Sequence, residues 1–361
     1  MTSPTPRRAS RVAIALAGVA VAALALSGCA SGAATPAAGS SGEASAAEGF
    51  GDLTLQLSWI KNEEFAGEFF ADSEGFYTEA GFDTVTMVPG PSTGAAELIS
   101  GSADIALSDA VSIGSVVAAE GAPLKIIGTT FQKNPFTVLS LKGGGDIATP
   151  QDLVGKKIGV QDSNTALFKA LLAANGIEES ELTIVPVQYD PAPLVNGEVD
   201  GFIAYLTNEA ITVAASGVET TNLPFADNGL PFVAETVTVT DDAIANDREK
   251  LKAFLVAEIK GWTMAVNDPE AAATLAVEDY GKDLDLDIDN SIAGATEQAE
   301  KLVVSDETAE NGLFTISDKL QQDTVTSLAG AGITLEAADL FDMSLLAEVY
   351  EENPDLIAYA G

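Results

Sequence analysis

Aromatic and acidic side chains that could bind a flat, nitrogen-rich ligand recur where predicted strands end. Four residues offer flat faces and three offer carboxylate acceptors; they are Trp59, Phe65, Tyr189 and Tyr205, and Glu64, Asp109 and Glu209. Carboxylates beside aromatic rings suit a neutral or weakly basic heteroaromatic compound that carries amino groups. Polar residues in comparable positions complete the candidate ligand-binding set: Asn62, Ser92, Thr93, Ser108, Ser163, Asn164, Asn208 and Glu235.

Most of these residues also have a structural alternative. Phe65 stands at helical spacing from Phe69 and could belong to the hydrophobic core, as could Trp59. Polar residues that precede a predicted helix, such as Asp109, could serve as helix caps. Trp262, inside a long predicted helix, is expected in the core.

Strands that alternate with helices must position these side chains. The predicted strands are Leu53–Ser58, Thr84–Val88, Asp104–Leu107, Lys125–Phe131, Thr137–Leu141, Lys157–Val160, Leu182–Val187, Gly201–Ala204 and Thr236–Thr240. Helices are predicted between most of them, for example over Glu64–Glu79 and Ala110–Glu120, and the chain after the last strand is mostly helical. This order predicts an α/β fold with mainly parallel, open sheets. Roughly 310 residues follow the linker, more than one core usually organises, which predicts two lobes.

The first 28 residues have the pattern of a secretory signal peptide. Three arginines precede an apolar run over 12–26, which is shorter than the ~20 residues of a membrane-spanning helix. Leu26-Ser27-Gly28-Cys29 resembles the lipobox of bacterial lipoproteins, which implies that Cys29 is lipidated; an ordinary signal peptide is the alternative. Residues 29–50 are mostly small or polar and predict a flexible linker. We therefore expect an exported protein, lipid-anchored to the outer face of the cell membrane.

The charge balance and the missing residue types exclude several functions. Without the three arginines of the signal, 54 acidic residues face 14 basic ones, so the net charge is −40. Such a surface repels nucleic acid. The chain has no histidine, which excludes Ser-His and Cys-His nucleophiles. Carboxylate pairs could still perform acid–base chemistry. We find no metal-ligand spacing and no phosphate-binding loop, and the sequence predicts no cofactor, no metal site and no enzyme.

Several short motifs resemble a known family. They are Ser58-Trp59, Asn62, Glu64-Phe65-Ala66-Gly67, Gly75-Phe76-Tyr77, Ala80-Gly81-Phe82, Gly101 to Ala106, Asp152 to Val160 and Gly197 to Phe202. In this order, over about residues 52–275, they resemble the solute-binding lipoproteins of ABC importers. The branch in question covers sulfonate, nitrate and taurine carriers and the binders of thiamine pyrimidine precursors and of riboflavin.

The resemblance implies a fold and partners. The fold is that of type II periplasmic binding proteins, with two lobes joined by two crossovers and closing around a hinged cleft. We expect lobe I to comprise 51–142 and 241–361, and lobe II to comprise 143–240. The implied partners are a small-molecule ligand, an ABC permease and its ATPase, with the binding protein acting as a monomer.

The residues and the resemblance together favour one ligand class. An anion calls for arginine forks or a dense cluster of N–H donors, and Arg248, the one arginine after the signal, lies outside every predicted cleft loop. The predicted helix start at 162–165 could supply backbone N–H groups instead, but the net charge of −40 opposes the approach of an anion. The Glu-Phe-Ala-Gly motif after Trp-x-x-Asn is similar to the pyrimidine and flavin members. We therefore predict a thiamine pyrimidine precursor, such as hydroxymethylpyrimidine or its formylamino relative. Riboflavin, then sulfonate, nitrate or taurine, are the alternatives.

Two other functions would use the same fold. A ligand-sensing module of a membrane receptor would have the same cleft. A fungal pyrimidine synthase is similar in fold, but that family uses a pyridoxal cofactor and consumes an active-site histidine, which this chain lacks.

Overall fold

The computed structural model describes residues 49–359. The predicted signal peptide, the predicted lipidation site Cys29 and the linker up to residue 48 lie outside this range. Within residues 49–359, no helix is both long enough and apolar enough to cross a membrane.

The described residues form ten strands in two sheets. The strands are β1 Gly51–Gln56, β2 Phe82–Val88, β3 Ile105–Asp109, β4 Leu124–Phe131, β5 Phe136–Leu141, β6 Lys157–Val160, β7 Thr183–Pro186, β8 Gly201–Tyr205, β9 Thr220–Pro224 and β10 Ala234–Thr240. The strand order is β2-β1-β3-β10-β4 in the first sheet and β7-β6-β8-β5-β9 in the second. In each sheet four strands run in one direction, while β10 or β5 runs antiparallel to both neighbours. We call the part of the chain built on the first sheet lobe I and the part built on the second sheet lobe II.

Helices connect the strands and make up most of the chain after β10. The α-helices of the described range are α1 Ala66–Ser73, α2 Phe76–Glu79, α3 Ala95–Ser100, α4 Ala110–Glu120, α5 Thr165–Ala174, α6 Ala192–Val195, α7 Glu209–Ala215, α8 Asp241–Asn246, α9 Arg248–Asn267, α10 Pro269–Leu275, α11 Ile288–Gln298, α12 Asp306–Asn311, α13 Asp318–Gly330, α14 Ala337–Leu340 and α15 Ser344–Glu352. Short 3₁₀ turns occupy Glu63–Phe65, Pro150–Leu153, Asp162–Asn164, Glu179–Glu181 and Pro354–Ile357, and π-helical turns occupy Ala276–Tyr280 and Ala299–Val303.

The chain crosses between the sheets twice, at 132–135 and at 225–233. As a result, β5 pairs with β8 and β9 in lobe II, and β10 pairs with β3 and β4 in lobe I. The expected boundaries, at 142/143 and 240/241, place each of these strands in the other lobe. The backbone partner that a strand finds decides its sheet, and the partners of β5 and β10 are distant in sequence.

Local sequence signals set several helix ends. The side chain of Asp109 caps α4, and Gly121 ends that helix with a φ of +64°. The helix predicted over Glu64–Glu79 is instead divided, because Gly75 adopts a φ of +77° between α1 and α2. A left-handed residue at this point ends the first helix, and glycine adopts it without strain.

The helices after β10 pack on lobe I and reach lobe II. Helix α9 packs closely on α1: a Cβ added to Gly67 would lie 2.1 Å from a ring carbon of Trp262. Trp262 is in the core, as predicted. Further along, α11 contacts α7 and α13 contacts α5, both of which belong to lobe II.

Candidate functional site

A cleft lies between the two lobes, where the parallel strands of both sheets end. Trp59 follows β1, Asp109 ends β3 and Tyr205 ends β8. Because β10 runs antiparallel to its neighbours, its second residue, Glu235, reaches the same edge. The carboxyl ends of strands are where open α/β sheets bind ligands. The residues lining the cleft are Ser58, Trp59, Glu64, Pro91, Ser92, Thr93, Ser108, Asp109, Ser112, Phe136, Gln161, Ser163, Asn164, Tyr189, Ile203, Ala204, Tyr205, Asn208, Glu209 and Glu235.

The structure brings most of the predicted binding residues together in this cleft. The predicted residues found in its lining are Trp59, Glu64, Ser92, Thr93, Ser108, Asp109, Ser163, Asn164, Tyr189, Tyr205, Asn208, Glu209 and Glu235. Their contact with a ligand stays a prediction.

Phe65 and Asn62 do not line the cleft. The side chain of Phe65 is fully buried, and its ring lies 6.5 Å from that of Phe69 at an angle of 65°. Phe65 therefore belongs to the hydrophobic core, which was the structural alternative for this residue. The backbone rotation that turns Glu64 toward the cleft turns Phe65 toward the core. Asn62 faces a second cavity, which shares Asn208 with the cleft.

Asp109 both caps a helix and lines the cleft. One carboxylate oxygen accepts hydrogen bonds from the backbone N–H groups of Val111 (2.8 Å) and Ser112 (2.9 Å), and the other accepts from the Ser112 hydroxyl (2.6 Å). Burial raises the pKa of Asp109, while these three donors lower it. The two roles that the sequence left as alternatives are therefore compatible in one side chain.

Glu235 reaches the cleft from a distorted strand. The pairing of β10 with β3 shifts register between Ala234 and Thr236, and Glu235 has a φ of +45°. A bulge redirects one side chain out of the regular alternation, and a left-handed glutamate is strained. The Ser58 hydroxyl lies 3.0 Å from both carboxyl oxygens of Glu235 and donates to this group.

Glu64 and Glu235 form a pair of buried carboxyl groups. Burial is the main cause of their raised pKa values, and it brings that of Glu235 to about 8. The pKa of Glu64 is held well above its ordinary range by burial and then by the neighbouring Glu235. One buried oxygen of Glu64 has no hydrogen-bond partner among the described residues. Two carboxyl groups so close favour protonated forms, so this wall of the cleft can donate as well as accept hydrogen bonds.

Lobe II supplies the fourth carboxyl group of the cleft and two hydrogen-bonded side-chain amides. Glu209 accepts a hydrogen bond from the backbone N–H of Tyr205 at 2.8 Å, and burial raises its pKa to about 7. The Asn164 amide donates to Gln161 (3.0 Å), which itself donates to the carbonyl of Ile203 (2.9 Å). These bonds fix the orientation of the side chains before any ligand enters.

Aromatic rings from both lobes frame the cleft. The ring centroids of Trp59 and Tyr189 are 4.1 Å apart, and the Tyr189 hydroxyl lies 2.9 Å from that of Ser163. Deeper in, Phe136 and Tyr205 meet edge to face, with centroids 4.6 Å apart. The cleft has a volume of about 70 Å³. A water molecule needs roughly 10–15 Å³ by this measure, so the space suits a single-ring molecule better than a large one.

Sequence reasoning missed several residues of the lining. They are Ser58, Pro91, Ser112, Phe136, Gln161, Ile203 and Ala204. Gln161 directly follows β6, so its position after a strand was a usable signal. Phe136 carried no such signal, because it begins a strand whose antiparallel direction only the sheet reveals.

The lining contains four carboxyl groups and no lysine or arginine. Arg248 pairs instead with Glu348, at 2.7 Å, away from the cleft. The arrangement offers hydrogen-bond acceptors and protonated carboxyl donors to a neutral or weakly basic ligand, and it offers no cationic partner to an anion. It does not fit pyridoxal phosphate, which needs a lysine for its Schiff base and donors for its phosphate.

Known proteins resemble this chain in sequence. Residues 62–272 match the family model described as NMT1/THI5 like. A curated relative is the riboflavin-binding protein RibY of Chloroflexus aurantiacus, 25% identical over 63% of this chain. The match covers 66% of that protein, so this chain spans just under two thirds of its length. Another relative is the 4-amino-5-hydroxymethyl-2-methylpyrimidine phosphate synthase of Legionella pneumophila, 24% identical over 62% of this chain and 72% of the relative.

Solved structures share the fold. A putative periplasmic sulfonate-binding protein, SsuA, of an ABC transporter from Methylobacillus flagellatus superimposes with a TM-score of 0.59 at 14% identity. The superposition covers 86% of this chain and 96% of that protein. The two-lobed α/β fold of type II periplasmic binding proteins is therefore confirmed. Since the family model matches more than half of its residues, the chain belongs to the NMT1/THI5-like family.

Proposed function

We propose that this protein is the solute-binding component of an ABC importer and that it captures a small heteroaromatic nutrient with amino groups. The observation that carries the proposal is the cleft lining, in which four carboxyl groups and aromatic rings from both lobes occur with no basic residue. The ligand class we favour is a thiamine pyrimidine precursor, such as hydroxymethylpyrimidine or its formylamino relative. The family membership and the fold of solved binding proteins support this class of function.

The composition of the cleft bears on the alternative ligands. Sulfonate and nitrate require cationic or dense N–H donors, and lobes I and II contribute no lysine or arginine to the lining. Riboflavin is also a heteroaromatic compound, and one relative of this chain is named as a riboflavin-binding protein. However, a cleft of about 70 Å³ is small for three fused rings with a polyol chain. A synthase activity has a named relative too, but the cleft lacks the lysine that a pyridoxal mechanism would use.

The proposed mechanism is ligand-driven closure. A ring bound between Trp59 and Tyr205 would touch both lobes only when they are close, so its differential affinity favours the closed arrangement. The crossovers at 132–135 and 225–233 would act as the hinge. A permease with its ATPase would then recognise the closed protein, which we propose to be an exported monomer anchored through a lipid on Cys29.

Thermal unfolding with a ligand panel tests the proposal. The panel contains hydroxymethylpyrimidine, its formylamino relative, thiamine, riboflavin, taurine, alkanesulfonates and nitrate. A ligand at 100 to 1,000 times its dissociation constant stabilises the folded state by about 3–4 kcal/mol. We expect a pyrimidine to raise the melting temperature and the anions to have no effect. Stabilisation by a sulfonate or nitrate alone would contradict the ligand class, and conversion of pyridoxal phosphate to a pyrimidine would contradict the binding role.

A further inference from the structure

Helix α11 touches both lobes beside the cleft. The residues that lead into this helix and its first turn, 285–291, line the second cavity together with residues 60–63 of lobe I and 207–212 of lobe II. The helix itself contacts α7 of lobe II and the 3₁₀ turn Glu63–Phe65 of lobe I. In addition to the two crossovers, α11 is therefore a place where the lobes meet.

Buried contacts hold α11 on lobe I. The side chain of Gln298 is 2% exposed, and its Nε2 donates a hydrogen bond to the carbonyl oxygen of Glu63 at 2.6 Å. The π-helical turn after α11 is tied to the first crossover, because the backbone N–H of Gln132 donates to the carbonyl oxygen of Leu302 at 2.7 Å. We therefore expect α11 to move with lobe I when the lobes separate.

Gly294 lies where α11 meets lobe II. A Cβ atom added to this glycine would lie 2.6 Å from the backbone carbonyl oxygen of Thr207, in lobe II, and 2.5 Å from Oε1 of Glu63, in lobe I. Both distances are below 3.0 Å, a separation that real Cβ atoms essentially never show. The carboxyl end of Glu63 can rotate away, but the carbonyl of Thr207 belongs to the backbone and moves only with its segment of lobe II.

The conformation of α11 gives no other reason for a glycine at this position. Gly294 lies inside the helix, and its φ is not in the left-handed region. In a helix interior, glycine is less favourable than alanine. The close approach of the Thr207 carbonyl is thus the feature that requires residue 294 to have no side chain.

We propose that α11 acts as a stop between the lobes, and that Gly294 lets the free protein close as far as the contact between Trp59 and Tyr189. A side chain at position 294 would meet Thr207 first and hold the lobes apart. The inference rests on the hinge closure proposed above, but it concerns the lobes and not the ligand. The fraction of closed molecules would fall, and any ligand that needs both lobes would bind more weakly in the same proportion.

Crosslinking between the lobes without ligand tests the proposal. In the full chain with Cys29→Ser, the substitutions Trp59→Cys and Tyr189→Cys place one thiol on each lobe at positions whose rings are in contact. A short bis-maleimide joins the two thiols only when the lobes are close, so its crosslinking rate follows the closed fraction. Labelling with a simple maleimide corrects for the reactivity of each thiol, and circular dichroism verifies that each variant is folded.

Variants of α11 are compared in this parent protein. We expect Gly294→Ala and Gly294→Val to lower the crosslinking rate at least tenfold. Ala293→Val is the matched control, because it places the same side chain at the neighbouring, exposed position of the helix, and it should change the rate less than twofold. Gly294→Ala keeps the test decisive if Gly294→Val fails to fold, since alanine favours the helix.

A double variant separates the contact with lobe II from the contact with Glu63. In Glu63→Ala/Gly294→Ala the carboxyl group is gone, and the Thr207 carbonyl alone remains within 3.0 Å of the added Cβ. We expect this double variant to crosslink at least tenfold more slowly than Glu63→Ala by itself.

Four outcomes would overturn the proposal. Unchanged crosslinking in folded Gly294→Ala would mean that α11 shifts on lobe I instead of holding the lobes apart. An equal loss in Ala293→Val would mean that any change in α11 has this effect. Equal rates in the double variant and in Glu63→Ala would mean that the glycine only makes room for Glu63. Absence of crosslinking in the parent protein would mean that the free lobes do not reach the arrangement that the stop limits. None of these outcomes depends on whether a pyrimidine binds in the cleft.

Discussion

The indole ring of Trp59 contacts the phenol ring of Tyr189, with centroids 4.1 Å apart and ring planes at 68°. Trp59 follows β1 in lobe I, and Tyr189 follows β7 in lobe II. The two lobes therefore touch at the cleft through a pair of aromatic rings, and each ring presents a face or edge to the enclosed space. A flat ligand would replace part of this ring–ring contact with its own.

Trp59 should report ligand binding through its fluorescence. The chain has two tryptophans, Trp59 in the cleft lining and Trp262 in the core. We expect hydroxymethylpyrimidine to quench the emission of a Trp262→Phe variant and to leave that of Trp59→Phe unchanged. Trp59→Ala should weaken affinity at least tenfold, equivalent to about 1.4 kcal/mol. Quenching that persists in Trp59→Phe would show that the ligand does not bind next to the Trp59 ring.

Substitutions of Asp109 should separate the effect of helix capping on stability from the effect of the carboxylate on ligand binding. Asparagine caps helices as well as aspartate, whereas alanine at a cap costs about 1 kcal/mol. We expect Asp109→Asn to melt within a few degrees of the wild type and Asp109→Ala to lose about 1 kcal/mol. Both variants should lose ligand affinity to a similar extent in calorimetric titration, because both remove the carboxylate. Full affinity in Asp109→Asn would leave Asp109 with only its structural role.

Substitutions of Glu235 should affect the stability of the protein and its ligand affinity in different ways. Its φ of +45° strains any residue with a Cβ atom, by on the order of 1–2 kcal/mol. We expect Glu235→Gly to be more stable than Glu235→Ala by about 1 kcal/mol in denaturant unfolding. Both variants should bind hydroxymethylpyrimidine at least tenfold more weakly than the wild type. Equal stability of the two variants would show that the bulge relaxes without strain.

Buried acids away from the cleft should make stability depend on pH. Glu68 and Glu258 are fully buried between α1 and α9, and the hydroxyl of Tyr77 donates to Glu258. Burial raises the pKa of Glu68 to about 7 and that of Glu258 well above its ordinary value. The folded state thus binds more protons than the unfolded state above about pH 4.5, and stability falls as the pH rises from 5 to 7.

Substitution of these acids tests that prediction. Each raised group contributes a slope of up to about 1.4 kcal/mol per pH unit, which Glu68→Gln should remove. Asp152→Asn is the control, since hydrogen bonds from Thr149 lower the pKa of Asp152 and place its titration below this window. Urea unfolding at pH 5, 6 and 7 measures the slopes. An unchanged slope in Glu68→Gln would mean that this carboxyl group titrates normally in the folded protein.

The sequence alone determined the class of fold and most of the cleft. Strands that alternate with helices predict parallel sheets, and the carboxyl ends of such strands meet at one edge for geometric reasons. Residues directly after predicted strands, such as Trp59, Asp109 and Tyr205, could therefore be assigned to one site from their positions along the chain. The position of Arg248, the one arginine after the signal, outside the predicted cleft loops could also be read from the sequence.

Only the tertiary structure decided the features that depend on pairing between strands distant in sequence. The sheet to which β5 and β10 belong is fixed by backbone partners distant in sequence, and this membership brings Phe136 and Glu235 into the cleft. Phe65 and Asn62 flank Glu64 closely in sequence, yet one is buried in the core and the other faces a second cavity. Asn62 has an extended backbone (φ −112°, ψ −169°) before the 3₁₀ turn, whereas Phe65 is the last residue of that turn. Which of these side chains becomes buried in the core follows from packing, which the local sequence pattern does not specify.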